Sequence, residues 1–161
     1  MPGARAMNAP HITDDARRRI ACIPESYVRL TGRPLVAPDA DPITALWQAP
    51  LAVVAHGTEA DPVFFFGNRT ALALFEMGFD DFTRLPSRFS AEPLLREERA
   101  RLLDRVTRDG IIEDYAGVRI SASGRRFRIR NASVWNLTDR SGHPVGQAAA
   151  FSEWTEIAPP S

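Results

Sequence analysis

The chain has 161 residues, 44% hydrophobic and 25% charged, with twenty basic and twenty acidic side chains and no net charge. That is the size and makeup of one soluble globular domain, and it excludes a global electrostatic pull toward nucleic acid or an anionic membrane surface. The lone cysteine, Cys22, excludes an internal disulfide framework and fits a reducing cytoplasm, and no apolar run reaches the length of a membrane span or a signal-peptide core.

Residues 1–11 read as a loose tail. Thr13 is a helix cap, with Asp14 and Asp15 in the first turn, where the dipole favours acids. Ile12, Ala16, Ile20, Ile23, Tyr27 and Leu30 recur at helical spacing and form one stripe. Pro24 predicts a kink or a split into two short helices. Gly32 and Pro34 end the segment. The loop VAPDAD leads to Asp41-Pro42, a cap followed by a proline suited to the first helical position, and to a short helix through Trp47. Residues 1–48 are thus a tail and a helical extension. Packing as a cover on the domain is preferred over a dimerisation or signalling arm.

Residues 49–157 carry the domain itself. Leu51–Ala55 and Val63–Phe66 are short strands closing a hairpin. Asn68 caps a helix over RTALALFEMG. Residues 79–93 are irregular. Leu94 to Arg108 is a helix with an apolar stripe at Leu95, Leu102, Leu103 and Val106, ended by Gly110. Three consecutive strands follow from Glu113 to Trp154, divided by Ser123-Gly124 and by Asp139-Arg140-Ser141-Gly142. In the middle strand Phe127 and Ile129 alternate with Arg126, Arg128 and Arg130, so the arginines face outward, solvated and paired with acids. A two-residue turn at Ser123-Gly124 sets Ile120 against Phe127. A three-residue loop would set Arg119 there instead, and the first register is preferred because it buries no arginine. Residues 158–161 are a tail.

Two strands, a helical middle and a three-strand meander resemble the PAS fold. The residues that carry the resemblance are FFFGNRTALALFE and an ending, Trp154-Thr155-Glu156, that looks like the short acidic exit of many PAS domains. A closer resemblance is to the PAS-related MEKHLA family, in SYVRLTGRPL, APLAVVAHGTEADPVFFFGN, LPSRFSAEP, YAGVRISASGRRF and VWNLTDRSGHPVGQAAAF, across about residues 12 to 156. The chain departs from the family at Phe65-Phe66, so no contact is carried over to Phe65. The resemblance implies a sensory or regulatory domain, free-standing and bacterial. It implies no catalytic residue and no particular ligand.

The chemistry-bearing residues point the same way. His11 and His143 sit in a tail and a turn, and His56 reads as a turn histidine bonding backbone rather than a catalytic base. No Cys/His cluster has metal spacing. Glu97-Glu98 reads as a solvated helix face, and neither a Walker loop nor GxGxxG is present. A haem-binding PAS domain supplies an axial histidine from its long helix, which here has none. A cysteine-adduct flavin needs a cysteine in an early helix of the domain, and Cys22 lies before it. Both cofactors are argued against, while noncovalent flavin or an organic acid stays open.

The candidate ligand site follows from alternation. Continuing inward from Phe127 and Ile129 gives Asn131, Ser133 and Trp135, provided no bulge intervenes. In the last strand Gln147, Ala149 and Phe151 face inward, while Ala148 and Ala150 lie under the N-terminal helices. Trp135 would stack a planar ligand, Gln147 would orient it, and Phe151 would wall it. Arg88, Ser87 and Ser90 of SRFSAE would supply charge and hydroxyls for an anionic group. Asn68 completes the candidate set. The expectation is an α+β, PAS-like domain with a five-stranded antiparallel sheet, a helical middle segment and an N-terminal helical extension. It would sense a small organic or anionic ligand or act as an interaction module in the cytoplasm, dimerising through its N-terminal helices and binding neither nucleic acid nor membrane. A small enzyme on an α+β cone-like fold and a ligand-free scaffold are the alternatives.

Overall fold

The computed structural model describes residues 10–37, 41–92 and 96–158. The expected tails beyond those limits, the middle of the VAPDAD loop and the helix start at Leu94 and Leu95 lie outside the described residues.

Helix α1 spans Asp14–Thr31. Thr13 Oγ1 accepts from the Ala16 amide at 3.2 Å, and Gly32 closes the other end at φ 72. It runs as one helix through Pro24 instead of splitting in two. Ile20, Ile23 and Tyr27 of its stripe are buried. At roughly 1.5–3 kcal/mol per large apolar side chain, that burial exceeds the ~3 kcal/mol an interior proline costs. Helix α2, Pro42–Gln48, starts at the Asp41 cap with proline in its first turn.

Strands β1 (Ala52–His56) and β2 (Phe64–Gly67) form the expected hairpin. Helix α3 is Arg69–Phe75, α4 is Phe79–Phe82, and a 3-10 turn covers Ser87–Ser90. Helix α5 is Arg96–Asp109, and Gly110 follows it at φ 78. Strands β3 (Ile111–Ile120), β4 (Arg126–Thr138) and β5 (Pro144–Phe151) are the meander. The antiparallel order is β2-β1-β5-β4-β3. A further short strand, β6 (Glu153–Glu156), pairs with the first half of β4, Trp154 opposite Ile129. The Trp-Thr-Glu ending is therefore part of the sheet.

The sheet has a core on each face. The convex face packs Val53, Ala55, Trp135, Leu137, Ala148 and Ala150 against Ile20, Ile23 and Tyr27 of α1. The concave face packs Ala52, Val54, Phe127, Ile129, Val134 and Phe151 against α3, α4 and Val106 of α5.

Two details of β3 and β4 decide what faces where. First, the hairpin between them is closed by Ser121 N donating to Arg125 O at 2.8 Å, leaving a three-residue loop with Gly124 at φ 87. Arg119 stands opposite Phe127, and Ile120 opposite Arg126. The register preferred from the sequence is thus off by one. A turn followed by a left-handed glycine is a favoured three-residue hairpin. It is anchored by the Ser121 and Ser123 hydroxyls, both donating to the Glu76 carboxylate at the end of α3, and by Ala122 N donating to Phe75 O at 2.9 Å. Second, β4 carries an extra residue at Asn131, which takes φ 52. Beyond it the inward set switches from Phe127 and Ile129 to Ala132 and Val134, as a bulge requires. At the same place β4 changes partners, from β6 below to β5 above.

Candidate functional site

The bulge redistributes the residues expected to share a pocket. Trp135 is on the convex face, not the concave one: it meets Tyr27 edge-on with ring centroids 5.0 Å apart, and its Nε1–H donates to Ile23 O at 3.1 Å. It is a core residue under α1 and cannot stack a ligand on the other side. Phe151 is where alternation put it, buried on the concave face, and Ala148 and Ala150 lie under the N-terminal helix as expected.

Asn68 is buried and fully occupied. Its Oδ1 accepts from Val53 N and Ala71 N at 3.0 Å each, and its Nδ2 donates to Leu46 O at 2.9 Å and Leu51 O at 2.8 Å. An amide side chain has no further capacity for a ligand. Arg88 points outward: both Asp61 carboxylate oxygens accept from its Nε at 3.1 Å, and its guanidinium lies 4.1 Å over the Phe89 ring. Ser87 ties the 3-10 turn to the β1–β2 turn, its amide donating to Pro62 O at 2.9 Å. Ser90 is buried, and its hydroxyl donates to Ser87 O at 2.7 Å.

What the fold does bring together is a polar row at one end of the concave face. His56, Gln147 and Asn136 are register partners across β1, β5 and β4, one step beyond the apolar row Val54, Ala149, Val134. All three polar residues are half-buried. Gln147 Nε2 donates to Asn136 Oδ1 at 3.3 Å, and Asn136 Nδ2 donates to Val106 O at 3.2 Å. His56 Nδ1 lies 2.9 Å from Gly57 O. A carbonyl can only accept, so Nδ1 carries the ring proton. Burial pushes the imidazole below its ordinary value of 6.5, opposed by the Gly57 bond and assisted by the Arg119 charge.

Arg119 stands on β3 opposite Phe127, and its charge acts on His56. The segment from Pro86 to Ala91 crosses between the two edges of the sheet, bridged to Val63 at one end and to Arg119 at the other. Arg119 Nη1 stands 3.5 Å from Ser90 Oγ, and the guanidinium is 5.8 Å from the Tyr115 ring centroid. Gly117 leaves room for that ring: a Cβ there would lie 2.5 Å from the Tyr115 hydroxyl. Sequence alternation missed Arg119 and Asn136, and the three-residue loop was the signal that places the first of them. Ser90 Oγ–H is committed to the Ser87 carbonyl, and His56 Nδ1–H to the Gly57 carbonyl, which leaves His56 Nε2 as an acceptor. Among the described residues no group of three or more His, Cys, Asp or Glu stands together as metal ligands, and no helix is long and apolar enough to cross a membrane.

The MEKHLA domain profile matches residues 17–156. No curated protein sequence is significantly similar to the chain. Among solved structures, the PAS domain of a protein from Colwellia psychrerythraea is 13% identical with a TM-score of 0.57, covering 71% of this chain and 92% of its own. The dark structure of the blue-light photoreceptor Aureochrome1 LOV is 20% identical with a TM-score of 0.52, covering 78% and 89%. The light-state dimer of the fungal blue-light photoreceptor Vivid is 13% identical with a TM-score of 0.57, covering 90% and 97%. At these identities the likeness shows the fold, which is that of PAS domains.

Proposed function

The chain belongs to the MEKHLA domain family, and from that premise we propose that it is a PAS-type sensory module that takes a small molecule on its concave face. The observation that carries the reading is the row His56, Gln147, Asn136, half-buried beside the apolar row Val54, Ala149, Val134. Polar side chains set at the end of an apolar concavity fix orientation for a small ligand. In this reading Gln147 would orient the ligand, with Phe151 and Ser90 beside it. Residues 49–157 are the sensory unit and residues 1–48 its cover, a noncatalytic arrangement in the cytoplasm.

A light-oxygen-voltage domain described with a flavin analogue, 15% identical to this chain with a TM-score of 0.55, suggests one planar candidate for such a face. Cys22 lies on α1, on the convex side, so an adduct with it is no part of this reading. Nor is haem, which the histidine-free α5 does not favour. Self-association through α1 is a second component. Leu30 of the stripe and Val28 near it stay exposed there while Ile20, Ile23 and Tyr27 are buried, and Vivid is described as a dimer.

Native mass spectrometry of the purified chain, read for both mass and retained ligand, tests the proposal. Gln147→Leu should leave the fold intact and abolish ligand-dependent thermal stabilisation. A ligand whose stabilisation survives that change, with Gln147 unaffected in its NMR spectrum, would place binding elsewhere.

A further inference from the structure

This inference rests on the reading just given, that the concave face receives a small molecule, and adds the class of molecule. We propose that Arg119 anchors the site and that its ligand is a small monocarboxylate.

The three-residue hairpin loop turns Arg119 to the concave side, opposite buried Phe127. Its neighbours on the hairpin both have acids: Arg125 pairs with Glu156 at 3.0 Å and Arg126 with Glu92. Arg119 is half-buried like them, yet no described carboxylate lies within ion-pair distance of it. Its contacts are Ser90 Oγ at 3.5 Å, the outer limit of a hydrogen bond, and the Tyr115 ring. A guanidinium carries five donors in a planar fork. Among the described residues the fork has few partners, in a place where water serves it less well than at the surface. Ser90, 1% exposed, spends its proton on Ser87 O and turns only lone pairs to Arg119. The unmet demand is for an acceptor with two oxygens at guanidinium spacing, which a carboxylate supplies.

The charges here, the Arg119 guanidinium and the Glu59 carboxylate that acts on His56, suit a ligand with no more than one negative charge. His56 gives its Nδ1 proton to Gly57 O, and burial keeps the ring neutral. Gln147 and Asn136 are uncharged, and Phe151, Ala149 and Tyr115 belong to the apolar core of the same face. A phosphate dianion or a dicarboxylate would leave a charge unmatched beside apolar surface. A monocarboxylate with a short apolar or aromatic body would not. Arg119 is also tied by its backbone to Ala91, so a ligand on its guanidinium sits beside the 86–91 segment.

The test uses the full chain near neutral pH with acetate and benzoate as probes, benzamide as the uncharged isostere of benzoate, and inorganic phosphate. The expected result is a rise in melting temperature with a carboxylate, no rise with benzamide or phosphate, and a shift of the Arg119 Nε–H resonance. Arg119→Gln should weaken carboxylate binding at least about tenfold, and Arg88→Gln should not change it. Should Arg119→Gln fail to fold, Arg119→Lys serves, since it keeps charge, loses the fork and should still bind measurably more weakly. A carboxylate effect that survives the Arg119 change, no effect with either carboxylate, or an equal effect with phosphate would overturn the assignment. If benzamide stabilises as well as benzoate and Gln147→Leu removes both effects, the carboxylate class falls while the concave site stands. If no probe binds and native mass spectrometry finds no ligand, both fall.

Discussion

Trp135 and Tyr27 meet edge-on at 5.0 Å, joining the second half of β4 to the fourth turn of α1 across the convex face of the sheet. Trp135 also donates to Ile23 O and is 0% exposed. Trp135→Ala should cost ~3–5 kcal/mol in chemical denaturation, the range for deleting a buried large aromatic. Because the ring faces α1, the same variant should loosen the helix, seen as faster amide exchange between Ile20 and Tyr27. Unchanged exchange there would mean that the contact does not hold α1 down.

Asn131 is the second test. It holds φ 52 at the point where β4 exchanges β6 for β5, and its Nδ2 reaches the Glu153 carboxylate at 3.2 Å. Asparagine tolerates this conformation and β-branched residues do not. Asn131→Gly should be close to neutral, whereas Asn131→Val should cost about 1–2 kcal/mol. If valine were accepted without loss, the bulge would not be needed, and Trp135 could reach the concave face after all.

That bulge also marks what was legible in the sequence. Element order, the caps at Thr13, Asp41 and Asn68, the stops at Gly32 and Gly110 and the inward Phe151 all follow from local chemistry acting over one or two turns. The site does not, because its composition depends on two single-residue offsets. A strand's faces alternate with period two, so one extra residue at Asn131 moves Trp135 through the sheet. One extra residue in the β3–β4 loop brings Arg119 inward. The argument that no arginine should be buried lost to the Glu76 contacts with Ser121 and Ser123, which are long-range and invisible to periodicity. Arg88 looked like the charge of the site because Asp61, its partner, lies 27 residues away in sequence.

His56 sets a pH dependence. Its folded value is lowered from 6.5, first by burial and then by the Arg119 charge, against the Gly57 bond, the Glu59 charge and the Gln147 contact. The folded state resists the proton and the unfolded state accepts it. The stabilising contribution is therefore present above 6.5 and is lost as pH falls from there toward the folded value. Between about pH 8 and about pH 5.5 the urea midpoint should fall more steeply in the wild type than in His56→Gln. Parallel curves would show that the ring titrates as it does in water. A bound carboxylate at Arg119 would offset the nearby charge, so saturating benzoate should reduce the difference between the two curves.

Gly146 adds crowding to a positive φ of 156, whereas Gly142 has a positive φ alone. A Cβ at Gly146 would lie 2.0 Å from the His56 carbonyl oxygen and 3.2 Å from Gly57 Cα. Those atoms belong to the backbone of the neighbouring strand and cannot rotate away. Gly146→Ala should push β1 from β5 at the end where His56 faces Gln147, costing about 3 kcal/mol, the upper part of the range for overpacking. Gly142 is the control: it lies in the β4–β5 turn at φ 86 with nothing within 4 Å of its built Cβ. Gly142→Ala should lose only the conformational term, about 1–2 kcal/mol. The two variants should also differ at the concave face. Gly146→Ala should shift the His56 and Gln147 side-chain resonances and weaken any ligand that uses Gln147, while Gly142→Ala should leave both unchanged. Equal losses of stability with neither resonance moved would mean that the polar row does not depend on the close approach of β1 to β5.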